Sequence, residues 1–275
     1  MEGSSSRMRP LAEMPMADAK CIRLVLTDID DTLTDDGRLP AEAYCALEDL
    51  SRAGFIVAPI TGRPAGWCDM IARFWPVAGV VGENGALYFS YDNGARRMRR
   101  FYAASDAERQ TNRLRLEIIK DRVLAEVAGS AVSADQAYRE ADLAIDFCED
   151  VSPLAPQAVN QIKMIFEAEG AIAKISSIHV NGWFGNYDKL TMTRIFAHDI
   201  LGIDIDSDNS CAIYVGDSPN DAPMFGFFQN SCGVANVHDF AGQLKEEPTY
   251  VTIGRGGRGF VEVAKHLLAS RSSAQ

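Results

Sequence analysis

Only six cysteines occur in the 275 residues, at positions 21, 45, 68, 148, 211 and 232, and no two of them stand in a CxxC or Cys/His spacing. That lack removes the sequence argument for a structural zinc site or a dithiol redox pair. Several lie in apolar runs and read as buried thiols, which suits a reducing, cytoplasmic compartment. Basic residues are outnumbered as well: 27 Lys and Arg against 38 Asp and Glu leave a net charge of -11. Such a balance argues against nonspecific binding to nucleic acid or to an anionic membrane. Long apolar runs are missing too, since none approaches the roughly 20 residues that a membrane-spanning helix requires. Met1 to Lys20 holds Ser, Arg, Pro and Met but no apolar segment of signal-peptide length, so residues 1–19 are expected to form a disordered tail. No internal repeat or low-complexity tract is evident.

What remains is a globular composition, 47% hydrophobic, in a chain long enough for about two domains at roughly 150 residues each. Apolar runs at Ile22 to Leu26, Phe55 to Ile60, Gly79 to Val81, Cys211 to Val215, around Val234 and at Tyr250 to Ile253 alternate with helical patterns. Those patterns are Ala41 to Ala53, with Leu47 and Leu50 inward, Trp67 to Phe74, the helix after Lys189, one after Asp221, and Gly259 to about Ala269. Alternating strands and helices predict an α/β fold built on a doubly wound parallel sheet. Residues 20–87 and 185–275 supply its two pieces. The stretch 88–184 carries a helix-prone run from Ala104 to Ala128, a strand at Leu143 to Phe147, a helix at Pro156 to Ala168 and a strand-like run at Ala173 to Val180. So many periodic apolar positions are too much for a loop, and the stretch is expected to be a second, smaller α/β domain.

Chemistry gathers where the strands end. Asp28-Ile29-Asp30-Asp31-Thr32 follows the first apolar run directly. Where a strand ends its strict side-to-side alternation lapses, and two carboxylates can share the crevice beyond the sheet, where open parallel sheets bind ligands. Thr61-Gly62-Arg63 follows the second run, a hydroxyl and a glycine turn suited to a phosphate oxygen. Gly216-Asp217-Ser218-Pro219-Asn220-Asp221 follows the run at Cys211, with Ser218 placed to cap a helix and Pro219 at its first position. Between these, Asn186-Tyr187-Asp188-Lys189 opens a helical pattern, so that Lys189 stands at a helix start.

These four elements, in this order, resemble the motifs of the haloacid dehalogenase superfamily of phosphotransferases. The segment Gly82-Glu83-Asn84-Gly85-Ala86 and the long insert before Lys189 resemble the type IIB subfamily, which includes Cof-like sugar phosphatases and phosphomannomutases. The resemblance runs from about Cys21 to the last helix and implies a Rossmann-like core with the 88–184 insert as a cap over the site. One departure is Asp31, where many members have glycine.

Four carboxylates around an anionic phosphate repel one another, each pair at 4 Å costing about 4 kcal/mol at an effective dielectric of 20, so a divalent cation is required. All-oxygen ligands favour magnesium. The resemblance implies that Asp28, the Asp30 carbonyl and Asp217 hold the metal, with Asp221 acting directly or through water. It further implies that Asp28 is the nucleophile, that Asp30 is the acid and base, and that Thr61, Gly62, Lys189 and Asn220 serve the phosphate. Asn84, and His179, Asn181 and Trp183 at the end of the insert, are candidate substrate contacts. Arg63 is expected to tie the core together, and Arg96 to Arg100 to form a solvated basic face. The reaction expected is magnesium-dependent hydrolysis of a small phosphorylated metabolite, a sugar phosphate above others. A sugar phosphomutase is the alternative within the same motifs. A phosphoaspartate signalling module or a silent phosphate-binding protein is the alternative outside them.

Overall fold

Residues 8–272 are described in a computed structural model of the chain. In chain order, a two-residue strand β1 (Arg9–Pro10) and a short helix α1 (Met16–Cys21) precede β2 (Leu24–Thr27), α2 (Ala41–Arg52), β3 (Ile56–Pro59), α3 (Ala65–Phe74) and β4 (Val80–Gly82). A hairpin of β5 (Leu87–Asp92) and β6 (Arg97–Tyr102) leads to the long α4 (Asp106–Glu126), then to β7 (Ala131–Val132), β8 (Asp142–Asp146), α5 (Pro156–Ala168), β9 (Ile172–Ile175) and β10 (His179–Trp183). The chain closes with α6 (Lys189–Phe196), β11 (Ala212–Gly216), α7 (Ala222–Phe227), β12 (Asn230–Gly233), β13 (Tyr250–Val251) and α8 (Gly256–Ser272). It divides into two compact units, one made of residues up to 60, 75–79 and 194 onward, the other of 61–74 and 80–193. The 88–184 stretch lies within the second unit, which extends beyond it at both ends.

The first unit is a six-stranded sheet in the order β1-β13-β12-β11-β2-β3, with every neighbouring pair parallel. Its central strands are buried along their whole length, β2 through Leu24, Val25, Leu26 and Thr27, and β11 through Ile213, Tyr214 and Val215. A strand covered on both faces has no polar alternation to show, which is why these read as unbroken apolar runs. Ala43, Ala46, Leu47 and Leu50 share the buried face of α2 at the spacing of a helical stripe. From β2 the chain moves outward on one side to β3, and from β11 on the other side to β12 and β13. The strand order therefore reverses between β2 and β11, the position at which open α/β sheets bind ligands.

The second unit holds two antiparallel sheets, β7-β8-β10-β9 and β4-β5-β6. Ser105 and Glu108 form a capping box at the start of α4, which satisfies donors that a helix end leaves open. Leu116, Ile119 and Val123 of α4 join Val159, Ile162, Ile165 and Phe166 of α5 over Leu143, Ile145 and Val180 of the larger sheet. Among the described residues no helix is long and apolar enough to cross a membrane.

Several expectations need correction. Residues 1–7 of the expected tail lie outside the described residues, but from Arg9 the chain is ordered: Arg9 pairs with Tyr250, and Leu11, Met14 and Ala19 are buried. Three scattered apolar side chains in a short segment make no periodic signal. The strand expected at Gly79 to Val81 does not join the parallel sheet; β4 pairs antiparallel with β5, because the Glu83–Gly85 turn sends the chain straight back. The single strand-like run at Ala173 to Val180 is two antiparallel strands, β9 and β10, split by a turn in which Ser176 Oγ accepts from the His179 N–H at 3.0 Å. The basic cluster sits on the β5–β6 hairpin, with Arg99 paired to Asp92 at 3.2 Å and Arg100 to Asp69 at 2.6 Å. Of the cysteines, Cys68 and Cys232 are buried, Cys148 and Cys211 half-buried, and Cys21 and Cys45 exposed.

Candidate active site

The ends of β2 and β11 are tied together by the Asp28 N–H, which donates to the Val215 carbonyl at 2.9 Å. Beyond it the chain turns tightly, and the Leu33 and Thr34 N–H groups return to the Ile29 carbonyl at 2.8 and 3.1 Å. Asp31 takes a left-handed φ of 54° in that turn. This explains why glycine suits the position and how a short polar side chain replaces it. Asp28 is 4% exposed, Asp217 1% and Asp221 0%. One carboxylate oxygen from each of these three lies within 4.8 Å of the others. Asp30 is half-buried and stands outside the trio.

Neighbours orient the trio. Thr32 Oγ1 donates to Asp217 Oδ1 at 3.5 Å. Asp221 bends back over its own turn, accepting from the Asp217 and Ser218 N–H groups at 3.0 and 3.3 Å and from the Tyr214 hydroxyl. Burial, with Asp221 and Asp28 close by, pushes the Tyr214 phenol well above its ordinary range, so it stays a donor. Asn220 is buried and accepts from Ser218 Oγ at 2.9 Å. Three buried carboxylates offering only oxygen fit a hard divalent cation of the magnesium kind, which accepts few protein ligands and keeps waters.

The remaining phosphate candidates belong to the second unit. Thr61 is fully buried, its N–H donating to Val81 O at 2.9 Å and its Oγ1 accepting from the Arg63 N–H at 3.0 Å. The Asn84 N–H donates to the Thr61 carbonyl at 3.1 Å. Gly62 faces the Asn84 amide so closely that a Cβ there would stand 3.2 Å from Asn84 Nδ2. Gly85, at φ 104°, packs on the Asp188–Lys189 peptide, where a Cβ would come within 2.0 Å of the Asp188 carbonyl oxygen. Only glycine fits there. The Lys189 side chain, at the start of α6, is 4% exposed as a residue, and its carbonyl accepts from Thr193 Oγ1 at 2.6 Å.

A buried charge network that no local pattern announces runs behind these residues. Arg139, with its guanidinium fully buried, donates to the Gly62 carbonyl at 2.9 Å and pairs with Asp135 and Asp142, both at 3.0 Å. Arg63 pairs with Asp135 at 3.3 Å and Glu149 at 2.7 Å and lies over the Trp67 ring at 4.4 Å, so its ion pairs tie the segment after β3 to the 88–184 stretch. Glu83, fully buried, accepts from the N–H groups of Ala65, Glu140, Ala141 and Asp142 at 2.9, 2.8, 2.7 and 3.2 Å. Burial and the adjacent Asp142 push its carboxyl up to about 7, while Arg139 and the N–H donors act the other way. Glu149 goes down to about 2, held by His179 and Arg63.

The three residues at the end of the insert expected to face substrate lie in the interior. His179 Nε2 lies 2.9 Å from Glu149 Oε2. Asn181 donates to Asp142 Oδ2 at 3.0 Å. Trp183 is 1% exposed, donates to the Tyr187 carbonyl at 3.3 Å and stacks on the Tyr187 ring. The reason is geometric: β10 is an interior strand, paired with β8 on one side and β9 on the other, and all five of its residues are buried.

No family model matches the chain. A phosphoglycolate phosphatase of Thermoplasma acidophilum is 24% identical over 248 residues, spanning 90% of this chain and 98% of that protein. A crystal structure of a Thermoplasma acidophilum protein superposes with a TM-score of 0.67 at 20% identity, covering 90% of this chain and 98% of its own. A haloacid dehalogenase superfamily subclass IIB sugar phosphatase superposes at 0.58 with 14% identity, covering 89% and 98%. The chain thus has the haloacid dehalogenase-like fold.

Proposed function

We propose that the protein is a magnesium-dependent phosphatase that hydrolyses a small phosphorylated metabolite, a sugar phosphate in particular, through a phosphoaspartate on Asp28. The observation that carries this reading is the burial of Asp28 with Asp217 and Asp221, within 4.8 Å of one another, where the strand order reverses. Phosphatases among its relatives support it.

In this reading Asp28, Asp217 and the Asp30 carbonyl would hold the metal, with Asp221 acting directly or through water, and the bound ion would neutralise charge on the transferring phosphoryl group. The Asp28 carboxylate oxygen attacks phosphorus as the bond from phosphorus to the substrate oxygen breaks. Asp30 gives its proton to the departing oxygen. The Asp30 carboxylate then takes a proton from water, whose oxygen attacks the same phosphorus, releasing inorganic phosphate and restoring Asp28. Thr61 and Lys189 hold the phosphoryl oxygens, where fixed donors and charge do most of the catalytic work. Asn220 orients the loop after β11, and residues 88–184 act as the cap that selects the leaving group.

The test is phosphate release from a panel of phosphorylated metabolites by the purified protein with magnesium. Turnover of at least one sugar phosphate, lost in excess chelator and restored by magnesium, is expected. Release of no phosphate from any member would remove the phosphatase reading.

A further inference from the structure

One buried donor in the second unit is unsatisfied among the described residues. Asn84 is 3% exposed, and its Nδ2 finds no hydrogen-bond acceptor among the described residues. A side-chain amide nitrogen carries two donor hydrogens, and buried polar groups in folded proteins are nearly always satisfied. An exception asks for a partner that arrives from outside.

Its surroundings say what that partner is. Asn84 and the residue before it both take left-handed backbone conformations, with φ of 54° and 45°, a strained arrangement that persists only where the surroundings over-determine it. Here they do: the Glu83 carboxylate is gripped by four backbone N–H groups, and the Asn84 N–H is bound to Thr61 O. The result sets the amide face against Gly62 on one side, while the next residue, Gly85, is pressed onto the peptide that begins Lys189. Asn84 is therefore wedged between two segments proposed to hold phosphate, and it offers a donor where an anion's oxygen offers only acceptors.

We propose that Asn84 is a phosphate-binding residue, its Nδ2 donating to an oxygen of the substrate's phosphoryl group. The proposal rests on the phosphatase reading, and it adds an atom-level contact to it. Backbone strain is what aims this donor, so its loss weakens the anion's binding without dismantling the fold.

Inorganic phosphate, titrated calorimetrically into the full-length protein in magnesium buffer, tests it with Asn84→Gly and Asn84→Asp. Glycine and aspartate both tolerate a left-handed φ, so thermal midpoints within a few degrees of wild type are expected. Asn84→Gly should weaken phosphate binding about 10- to 100-fold, the range for a hydrogen bond to a charged group. Asn84→Asp, which turns a donor toward an anion into an acceptor, should weaken it further. Wild-type phosphate affinity in Asn84→Gly, whatever its midpoint, would overturn the proposal and make Asn84 a structural residue. A wild-type protein that neither binds phosphate nor releases it from any substrate would instead defeat the phosphatase reading on which the proposal stands.

Discussion

In the second unit Asp135, Asp142 and Glu149 are each held within 3.3 Å of an arginine or histidine of the same unit, whereas in the first unit Asp28, Asp217 and Asp221 converge on one another. Both sets are largely withdrawn from water, where an ionised carboxylate is costly unless compensated. The second unit compensates with its own guanidinium groups, so its acids serve to clip chain segments together. Asp221 accepts hydrogen bonds from a phenol and two peptide N–H groups, which direct the acid. In the proposed reading this set of acids is where a divalent cation binds. Burial alone does not separate a structural acid from a functional one.

The most severe way to break this contrast is at the nucleophile. Asp28→Asn should lower phosphate release by at least about a thousandfold, because covalent catalysis has no substitute once its nucleophile is gone. Circular dichroism should be unchanged. A variant that keeps more than a small fraction of the wild-type rate would take Asp28 out of the mechanism.

On the other side of the contrast, Arg139→Ala leaves Asp135 and Asp142 without their shared guanidinium. Removing one partner of a buried pair costs about 3–5 kcal/mol, to be read from urea unfolding. A loss under about 1 kcal/mol would mean that the network is not the clip described.

Removing charge should act in the opposite sense in the first unit. In excess chelator Asp217→Asn should raise the thermal midpoint, since one like charge of three is relieved. Magnesium should stabilise the wild type by about 2.7 kcal/mol at a hundred times its dissociation constant and should stabilise the variant far less. An unchanged magnesium response in Asp217→Asn would show that the cation binds elsewhere.

The smallest effect concerns Glu149. Its folded pKa of about 2 lies below the ordinary 4.5, so its contacts with His179 and Arg63 contribute stability above pH 4.5 that is lost as pH falls toward 2. The advantage of wild type over Glu149→Gln should be about 2 kcal/mol near neutrality, given its partial exposure, and should shrink through that window. A pH-independent difference would assign the effect to packing.

The acidic trio was legible because each motif stands directly after a buried strand, so that Asp28 and Asp217 are located by the apolar runs that precede them. Nothing comparable marks Arg139, and the Gly82-Glu83-Asn84-Gly85-Ala86 segment draws the eye to Glu83 without showing what it binds. Glu83 reaches the N–H groups of residues 140–142, and Arg139 the carbonyl of Gly62, across separations at which the sequence carries no periodic signal. The interior placement of His179, Asn181 and Trp183 was equally hidden, since a polar residue in an interior strand looks like an exposed one until its cross-strand neighbour is known. Strand β4 misled for a different reason: its three buried residues suit either sheet, and only the tight turn through Glu83 and Asn84 decides which one it joins.

The pinch at Gly85 reaches beyond the site. Because Gly85 touches Asp188, the polypeptide between them departs and returns at one spot, like a loop of thread passed twice through the same eyelet. A segment anchored in this manner imposes a single short spacing on its host and can vary in length or content without pulling the two edges apart. In the proposed reading, the part that selects the leaving group can then change without moving the part that handles phosphate.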